Sequence, residues 1–374
     1  MLIAINNVIL LFMNSKVLNY AIKVAGKDIL VALGKPVRRC FNAPYTIMLS
    51  VTDTCDAACI TCDRWKNKAD PRELSIQEWK NLLLQISKWI PHCYVTFTGG
   101  EPFTKKDFCS LLEYAHKLGL YSHLSTNGNF FDERNCDYII GAGVDLIQFS
   151  LNSISAETHD RYKGIKGLHN KIISAIRQIK KRKPGQKIGV TFVITKDNYR
   201  ELNDFASFMR DLGVDSINFQ PIRDNFGTNF SPNPSLCASV DNPFWKIDNL
   251  DELDKQIDLL ITNKIKGLPI TVPIEDLLNL KTYFRDPGKI HKRKPCDVGF
   301  RNIIVSASGE VKLCYKFPII DNVKNNNIRD IWFSKEASLQ RKQMLACRET
   351  CVSACLRKMS LHDKLQNFLI RADF

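Results

Sequence analysis

Cys55, Cys59 and Cys62 fall within the eight residues Cys55-Asp56-Ala57-Ala58-Cys59-Ile60-Thr61-Cys62. Three thiols at that spacing can ligate one metal cluster without help from distant parts of the chain. A disulfide framework would want pairs, and a structural zinc site would want a fourth Cys or His close by. Neither is found near this loop. Three thiolates can hold three irons of a cubane cluster and leave the fourth without a protein ligand. An open position is what a metal needs to bind and activate a small molecule.

A second set of cysteines lies near the other end of the sequence. Cys296 and Cys314 flank residues 303–313, two apolar runs around Gly309, which reads as a β-hairpin that brings its ends together. Cys347-x3-Cys351-x3-Cys355 follows Ile331-Trp332 and a helical stretch through Gln343. These five cysteines contrast with the single Cys237 between residues 137 and 295, a concentration that packing does not explain. Iron–sulfur and zinc ligation both suit these thiols. Cys40, Cys93, Cys109, Cys136 and Cys237 stand alone and read as small apolar packers without a role.

The elements that must position the first loop are regular. Apolar runs at 45–51, 93–98, 120–125, 144–151, 188–194 and 215–220 are separated by helix-length segments, of which Ile76 to Ile90 is the clearest. Such alternation means parallel strands joined by right-handed crossovers, with the site expected beyond the strand C-terminal ends. The cysteine loop follows the first strand, and Thr98-Gly99-Gly100-Glu101-Pro102 follows the second.

The Cys-x3-Cys-x2-Cys loop and this Gly-Gly-Glu-Pro stretch together resemble the radical S-adenosylmethionine (radical SAM) superfamily. The resemblance implies an α/β fold, a partial (β/α)6 TIM-like barrel, with Cys55, Cys59 and Cys62 holding a 4Fe-4S cluster whose open iron takes S-adenosylmethionine. It further implies that Glu101 and its neighbours Gly99, Gly100 and Pro102 receive the cofactor's amino group. A carboxylate beside an ammonium suits that role. Ser125 and Asn127, in Ser125-Thr126-Asn127-Gly128, match a segment that lies along the cofactor; the stretch also reads as a plain Asn-Gly turn. Ser150 ends the fourth strand, and Arg161 sits where relatives often place an arginine that pairs with the methionine carboxylate.

Two departures from the family pattern stand out. Asn152 occupies a position where many relatives carry Asp, which removes a charged partner. Thr61 replaces the aromatic residue that commonly precedes the third cysteine, and Trp65 either takes over that contact or packs on the loop. The C-terminal segment resembles the SPASM/twitch extension, a small α+β unit holding an auxiliary 4Fe-4S cluster. Cys296, Cys314 and Cys347 are its expected ligands, with Cys351 or Cys355 completing the set.

The expected organisation is an amphipathic helical segment over 1–40, the barrel over 41–221, a loop and helical connector over 222–295, and the cluster extension with a final helix over 296–374. At 374 residues with 44% hydrophobic content the chain has ample material for a core. Residues 1–40 lack a signal-peptide pattern, and their apolar stretches are too short to span a membrane. Clustered cysteines in that context favour metal ligation in a reducing cytoplasm. Val17, Leu18, Ala21, Ile22, Ala25, Ile29, Leu30 and Leu33 form a helical stripe among basic residues, which suits either peripheral contact with the inner membrane surface or packing on the barrel. The basic run Lys180-Lys181-Arg182-Lys183 reads as a solvated helix end. Phe226, Phe230, Phe244 and Trp245 either line a substrate pocket or anchor the long loop they sit in.

The expected activity is reductive cleavage of S-adenosylmethionine to a 5′-deoxyadenosyl radical that abstracts hydrogen from a small-molecule, lipid-linked or peptide substrate. A reductant such as ferredoxin or flavodoxin is implied. Forty residues ahead of the barrel are too few for the peptide-recognition domain many peptide maturases carry there, which weighs against a peptide. No cobalamin-binding domain is recognisable. The alternative class is a noncatalytic iron–sulfur or zinc protein on nucleic acid. The formal charge of +14 agrees with it, but the chain shows no nucleic-acid motif, and no nucleic-acid partner is expected.

Overall fold

The computed structural model describes residues 26, 28–35, 40–222, 225–226, 232–233, 245–289 and 295–347. Cys351, Cys355, Phe230, Phe244, the expected final helix and most of the N-terminal stripe lie outside them.

The first described helix, α1, covers 28–35. The barrel follows as β1 (Thr46–Ser50), α2 (Ile76–Trp89), β2 (Tyr94–Thr98), α3 (Phe108–Lys117), β3 (Tyr121–Thr126), α4 (Glu133–Gly141) and β4 (Leu146–Ser150). It continues through α5 (Ala156–Lys163), α6 (Leu168–Arg182), β5 (Lys187–Ile194), α7 (Leu202–Asp211) and β6 (Ser216–Pro221). A short pair, β7 (Asn225–Phe226) and β8 (Pro232–Asn233), precedes α8 (Leu250–Ile265) and α9 (Ile274–Arg285). The last part holds β9 (Asn302–Val305), β10 (Glu310–Lys312), β11 (Asp321–Asn322), α10 (Ile328–Phe333) and α11 (Lys335–Leu345).

Local signals explain the boundaries. α2 starts at Ser75, whose hydroxyl accepts from the Glu78 N–H while the Glu78 carboxylate accepts from the Ser75 N–H, and its Trp79, Leu82, Leu83 and Ile86 share one buried face. β1 to β6 are parallel neighbours in sequence order, the expected partial TIM-like barrel. The C-terminal hairpin joins this same sheet: β9 pairs parallel with β1, Thr46 opposite Asn302 and Leu49 opposite Val305, and β10 and β11 follow antiparallel. The sheet therefore runs β11-β10-β9-β1-β2-β3-β4-β5-β6.

Alternation along the strands separates two faces. Ile47, Leu49, Phe97, Leu124, Phe149, Phe192 and Phe219 belong to the core beneath the helices. The residues between them form the inner face, and most are polar: Ser50, Thr96, His123, Ser125, Gln148, Ser150, Thr191, Asn218 and Gln220. Contacts across strands confirm the shared face, with Gln148 Nε2 donating to Thr191 Oγ1 at 3.0 Å and Thr96 Oγ1 lying 3.4 Å from His123 Nδ1.

Trp245 is buried and stacks near Phe284, so it anchors the connector in the core. The basic run does end α6, where Lys180 pairs with Asp215 at 2.6 Å and Arg182 with Asp137 at 2.9 Å.

Candidate active site

The cysteine loop leaves the C-terminal end of β1 and is held by three neighbours. On one side the turn after β2 docks against it: Gly100 N–H donates to Thr52 O at 2.8 Å and Glu101 N–H to Thr54 O at 2.9 Å. A Cβ on Gly99 or Gly100 would overlap the Thr52 or Thr54 carbonyl oxygen. The close approach these glycines permit is thus to the cysteine loop's own stem. On the other side the end of α5 docks, with Ile60 N–H donating to Tyr162 O at 3.0 Å. Gly164 ends α5 at φ +67°, and a Cβ there would stand 2.8 Å from Ala58 O. From the turn after β3, Asn127 Nδ2 and Asn129 Nδ2 donate to the two oxygens of Asp56 at 2.7 and 2.8 Å.

Cys55, Cys59 and Cys62 are half-buried free thiols, and Cys62 N–H donates to Cys59 O at 3.1 Å. Burial pushes the Cys55 thiol up to about 12 and the Cys62 thiol upward as well. Ligation needs thiolates, and a bound metal compensates charge that burial disfavours. Among the described residues no three His, Cys, Asp or Glu side chains already stand at metal-ligand spacing. The loop nonetheless supplies three neighbouring soft donors, which suits an iron–sulfur cluster. Trp65 is partly exposed, with the Lys66 ammonium over its ring.

Glu101 is buried, and its carboxylate accepts from Thr126 Oγ1 at 2.9 Å and Asn127 N–H at 2.7 Å, so it ties the turns after β2 and β3 together. Burial raises its pKa to about 7, against the lowering effect of those donors. Pro102 opens the short turn that follows. Ser125 and Ser150 lie at the upper end of the inner face, half-exposed, and neither hydroxyl has a hydrogen-bond partner among the described residues. Asn152 is consumed in the loop after β4: its N–H donates to His159 Nδ1 and its Oδ1 accepts from Val193 N–H.

Arg161 lies on the exposed side of α5. Its guanidinium is exposed and pairs with Asp197 at 3.0 Å. Lys163, two residues on and so about 200° around the helix, is buried and makes no hydrogen bond or ion pair with another described residue. Its charge is close enough to Cys62 to favour the thiolate and close enough to His159 to help hold that imidazole neutral. Sequence reading missed Lys163 and Asp56. The spacing of Arg161 and Lys163 on one helix was the signal for the first, and the Asp inside a cysteine loop facing Asn127-x-Asn129 was a weak one for the second.

The second cysteine set sits at the opposite end of the sheet. β9 runs parallel to β1, so Cys296, ahead of β9, lies toward the N-terminal end of the strands; β10 runs back, and Cys314 follows it toward that end. The length of β1, roughly 13 Å at strand rise, separates this end from the start of the cysteine loop. Cys347 follows α11, whose Met344 packs against Gly299. Cys296, Cys314 and Cys347 are half-buried and free of disulfides.

Comparison with known proteins places this geometry. Residues 49–209 match the radical SAM superfamily, and residues 296–356 match the SPASM iron–sulfur cluster-binding domain. PqqA peptide cyclase of Gluconobacter oxydans is 26% identical over 298 residues, 79% of this chain and 76% of that protein. AdoMet-dependent heme synthase of Methanosarcina barkeri is 27% identical over 299 residues, 79% of this chain and 84% of that protein. Streptococcus suis SuiB bound to its precursor peptide SuiA shares the fold, with a TM-score of 0.60 at 14% identity over 82% of this chain and 69% of that one. So does native anSMEcpe with bound AdoMet, with a TM-score of 0.58 at 15% identity, covering 80% and 84%.

Fold and site thus define an iron–sulfur enzyme that uses S-adenosylmethionine. The chain belongs to the radical SAM superfamily and carries a SPASM domain, so its cofactors are a 4Fe-4S cluster, S-adenosylmethionine and auxiliary iron–sulfur binding. The noncatalytic alternative falls with that assignment.

Proposed function

We propose that this enzyme performs hydrogen abstraction on a peptide substrate held against the polar inner face of the barrel. In this reading Cys55, Cys59 and Cys62 hold the cluster that cleaves the cofactor. Bound there, the cluster supplies the electron that splits S-adenosylmethionine into methionine and a 5′-deoxyadenosyl radical.

The protein's own part is positioning. Glu101 receives the cofactor ammonium, and the Gly99-Gly100 stem holds Glu101 against the loop while Pro102 fixes the turn. Lys163, in place of Arg161, meets the methionine carboxylate. Ser125 and Ser150 offer free hydroxyls at the same end of the inner face, and Asn127 fixes both Glu101 and Asp56. Cys296, Cys314 and Cys347, with Cys351 or Cys355, hold an auxiliary cluster at the far end. An electron donor of the ferredoxin or flavodoxin kind supplies the reducing equivalent.

The observation that carries this reading is the presence of a buried carboxylate, Glu101, and a buried cation with no carboxylate partner among the described residues, Lys163, on opposite sides of one cysteine loop. An amino acid moiety presents the complementary pair of charges. For the substrate, the inner wall offers hydroxyls and amides, which suit peptide groups better than the largely apolar plane of a haem-type macrocycle. The peptide cyclase relatives agree with that choice.

The test is anaerobic reconstitution followed by dithionite reduction, with 5′-deoxyadenosine and iron measured on one sample. Formation of 5′-deoxyadenosine with about eight irons per chain supports both clusters. Activity with about four removes the auxiliary cluster, and zinc without 5′-deoxyadenosine overturns the reading.

A further inference from the structure

The cysteine loop is bracketed by a buried ion pair that the chemistry described above leaves without a task. Arg64 Nη1 donates to Asp53 Oδ1 at 2.5 Å, with only 8% and 19% of the two side chains open to solvent. Asp53 stands two residues before Cys55 and Arg64 two residues after Cys62, so the pair joins the two ends of the ligand loop. The same Arg64 nitrogen donates to Ser50 Oγ at 3.4 Å, which ties the guanidinium to the end of β1, the strand that carries the loop.

Each end is also held locally. Asp53 N–H donates to Glu73 Oε1 at 2.8 Å, Thr52 Oγ1 donates to the same oxygen at 3.1 Å, and Lys105 Nζ donates to Glu73 Oε2 at 3.0 Å. On the Arg64 side a short turn is closed by Lys66 N–H to Asp63 O and Asn67 N–H to Arg64 O, both at 3.0 Å. Against the burial of the thiols, a backbone hydrogen bond from Arg64 favours the Cys62 thiolate, as one from Ala57 does at Cys55.

A buried ion pair is weak evidence for stability, because removing two charges from water offsets most of their attraction. It does fix a geometry, and here that geometry is the span between the first and third cysteines. A free loop must be ordered when its ligand binds, whereas a loop closed at its base has lost that freedom beforehand. Burial disfavours the charge on Asp53, Arg64 favours it, and the nearby Glu73 carboxylate opposes it. Without the guanidinium, the Asp53 end of the loop is left beside Glu73 with no cation of its own.

We propose that the Asp53–Arg64 pair is a clasp that orders the Cys55–Cys62 loop ahead of its cluster, which makes both of them positioning residues. The clasp rests on the reading that Cys55, Cys59 and Cys62 hold that cluster. It acts by closing the loop, and the charge of Arg64 alone is not the agent.

The experiment compares the fully reconstituted parent protein with Arg64→Gln, Asp53→Asn and the double variant. Iron release to a ferrous chelator is timed after dithionite reduction, and the part of the reduced EPR signal that changes with S-adenosylmethionine identifies the first cluster. Each single variant is expected to lose that cluster about 10- to 100-fold faster than the parent, while iron held elsewhere leaves at the parent's rate. The double variant, which puts two neutral amides face to face, is expected to be no worse than either single one. A parent whose signal does not respond to S-adenosylmethionine removes the cluster assignment and the clasp with it. A responsive parent whose variants keep the first cluster overturns the clasp alone. Opposite effects of Arg64→Gln and Asp53→Asn make local charge the agent, and equal acceleration of all the iron makes the pair a general fold contact; either result overturns the proposal.

Discussion

The two cysteine-bearing ends of this sheet are built differently. At the strand C-terminal end, three cysteines lie in one loop, and three separate elements grip that loop through backbone contacts and the Asp56 carboxylate. At the other end, Cys296, Cys314 and Cys347 come from three separate stretches of chain, around a hairpin that adds itself to the edge of β1. The first end gathers its donors by sequence and needs the fold to aim them. The second needs the fold to gather them at all. A site that must leave one metal position open to a cofactor gains from local ligands, because in the function proposed above the remaining directions are free for Glu101 and Lys163. A fully protein-ligated cluster gains from distant ones, which couple its assembly to folding.

The sharpest way to break this comparison is to remove one cysteine from each end. Cys59→Ala should take 5′-deoxyadenosine release below detection, whereas Cys314→Ala should keep cofactor cleavage, lower the iron content and lose substrate turnover. Equal loss of cleavage in both variants would mean that the ends are not separable.

Lys163 and Arg161 provide the next contrast, on a single helix. Lys163→Ala should raise KM for S-adenosylmethionine about 10- to 100-fold, the usual effect of unpairing a buried charge. Arg161→Ala, which breaks only an exposed pair, should change it less than about twofold. The reverse order would restore the arginine.

Glu101 carries a pH signature. Its folded-state value is raised from 4.5 to about 7, mainly by burial. In the cofactor-free protein the carboxyl's contribution to stability is therefore present below about 4.5 and is lost as pH rises through about 7. An arriving ammonium reverses the preference, so cofactor affinity should rise through about pH 7 with release of a proton. Calorimetry in buffers of different ionisation enthalpy reads that proton, and a flat profile would separate Glu101 from the ammonium.

The smallest effects concern how each end is held. Gly164→Ala should lower the melting temperature, with a cost of about 1–2 kcal/mol, and should also slow cluster incorporation, since Gly164 lies against Ala58. Gly309→Ala, at φ +88° in the hairpin turn and near Asn322, should cost a similar amount and leave the first cluster's incorporation unchanged.

Much of this was legible in the chain itself. The six strands of the barrel follow from apolar runs spaced by amphipathic segments, and each boundary shifts by no more than two residues because turn and capping residues mark the ends. The hairpin was legible from two apolar runs around Gly309. That it joins the barrel sheet was not, because an edge strand of β1 presents no side-chain pattern that names its partner. Arg161 and Lys163 could not be told apart for a related reason: charge type is visible in sequence, but the direction a helical side chain takes depends on which face is packed.

What the sequence determined alone is the chemistry of the first site, because Cys55, Cys59 and Cys62 are close by covalent spacing whatever the rest of the chain does. Only the tertiary structure decided which cation stands beside that loop, which carbonyls the Gly99 and Gly100 backbone meets, and that the second cysteine set lies a strand's length away. Those relations join residues tens to hundreds of positions apart, and their distances are set by packing and strand register, which no local pattern encodes.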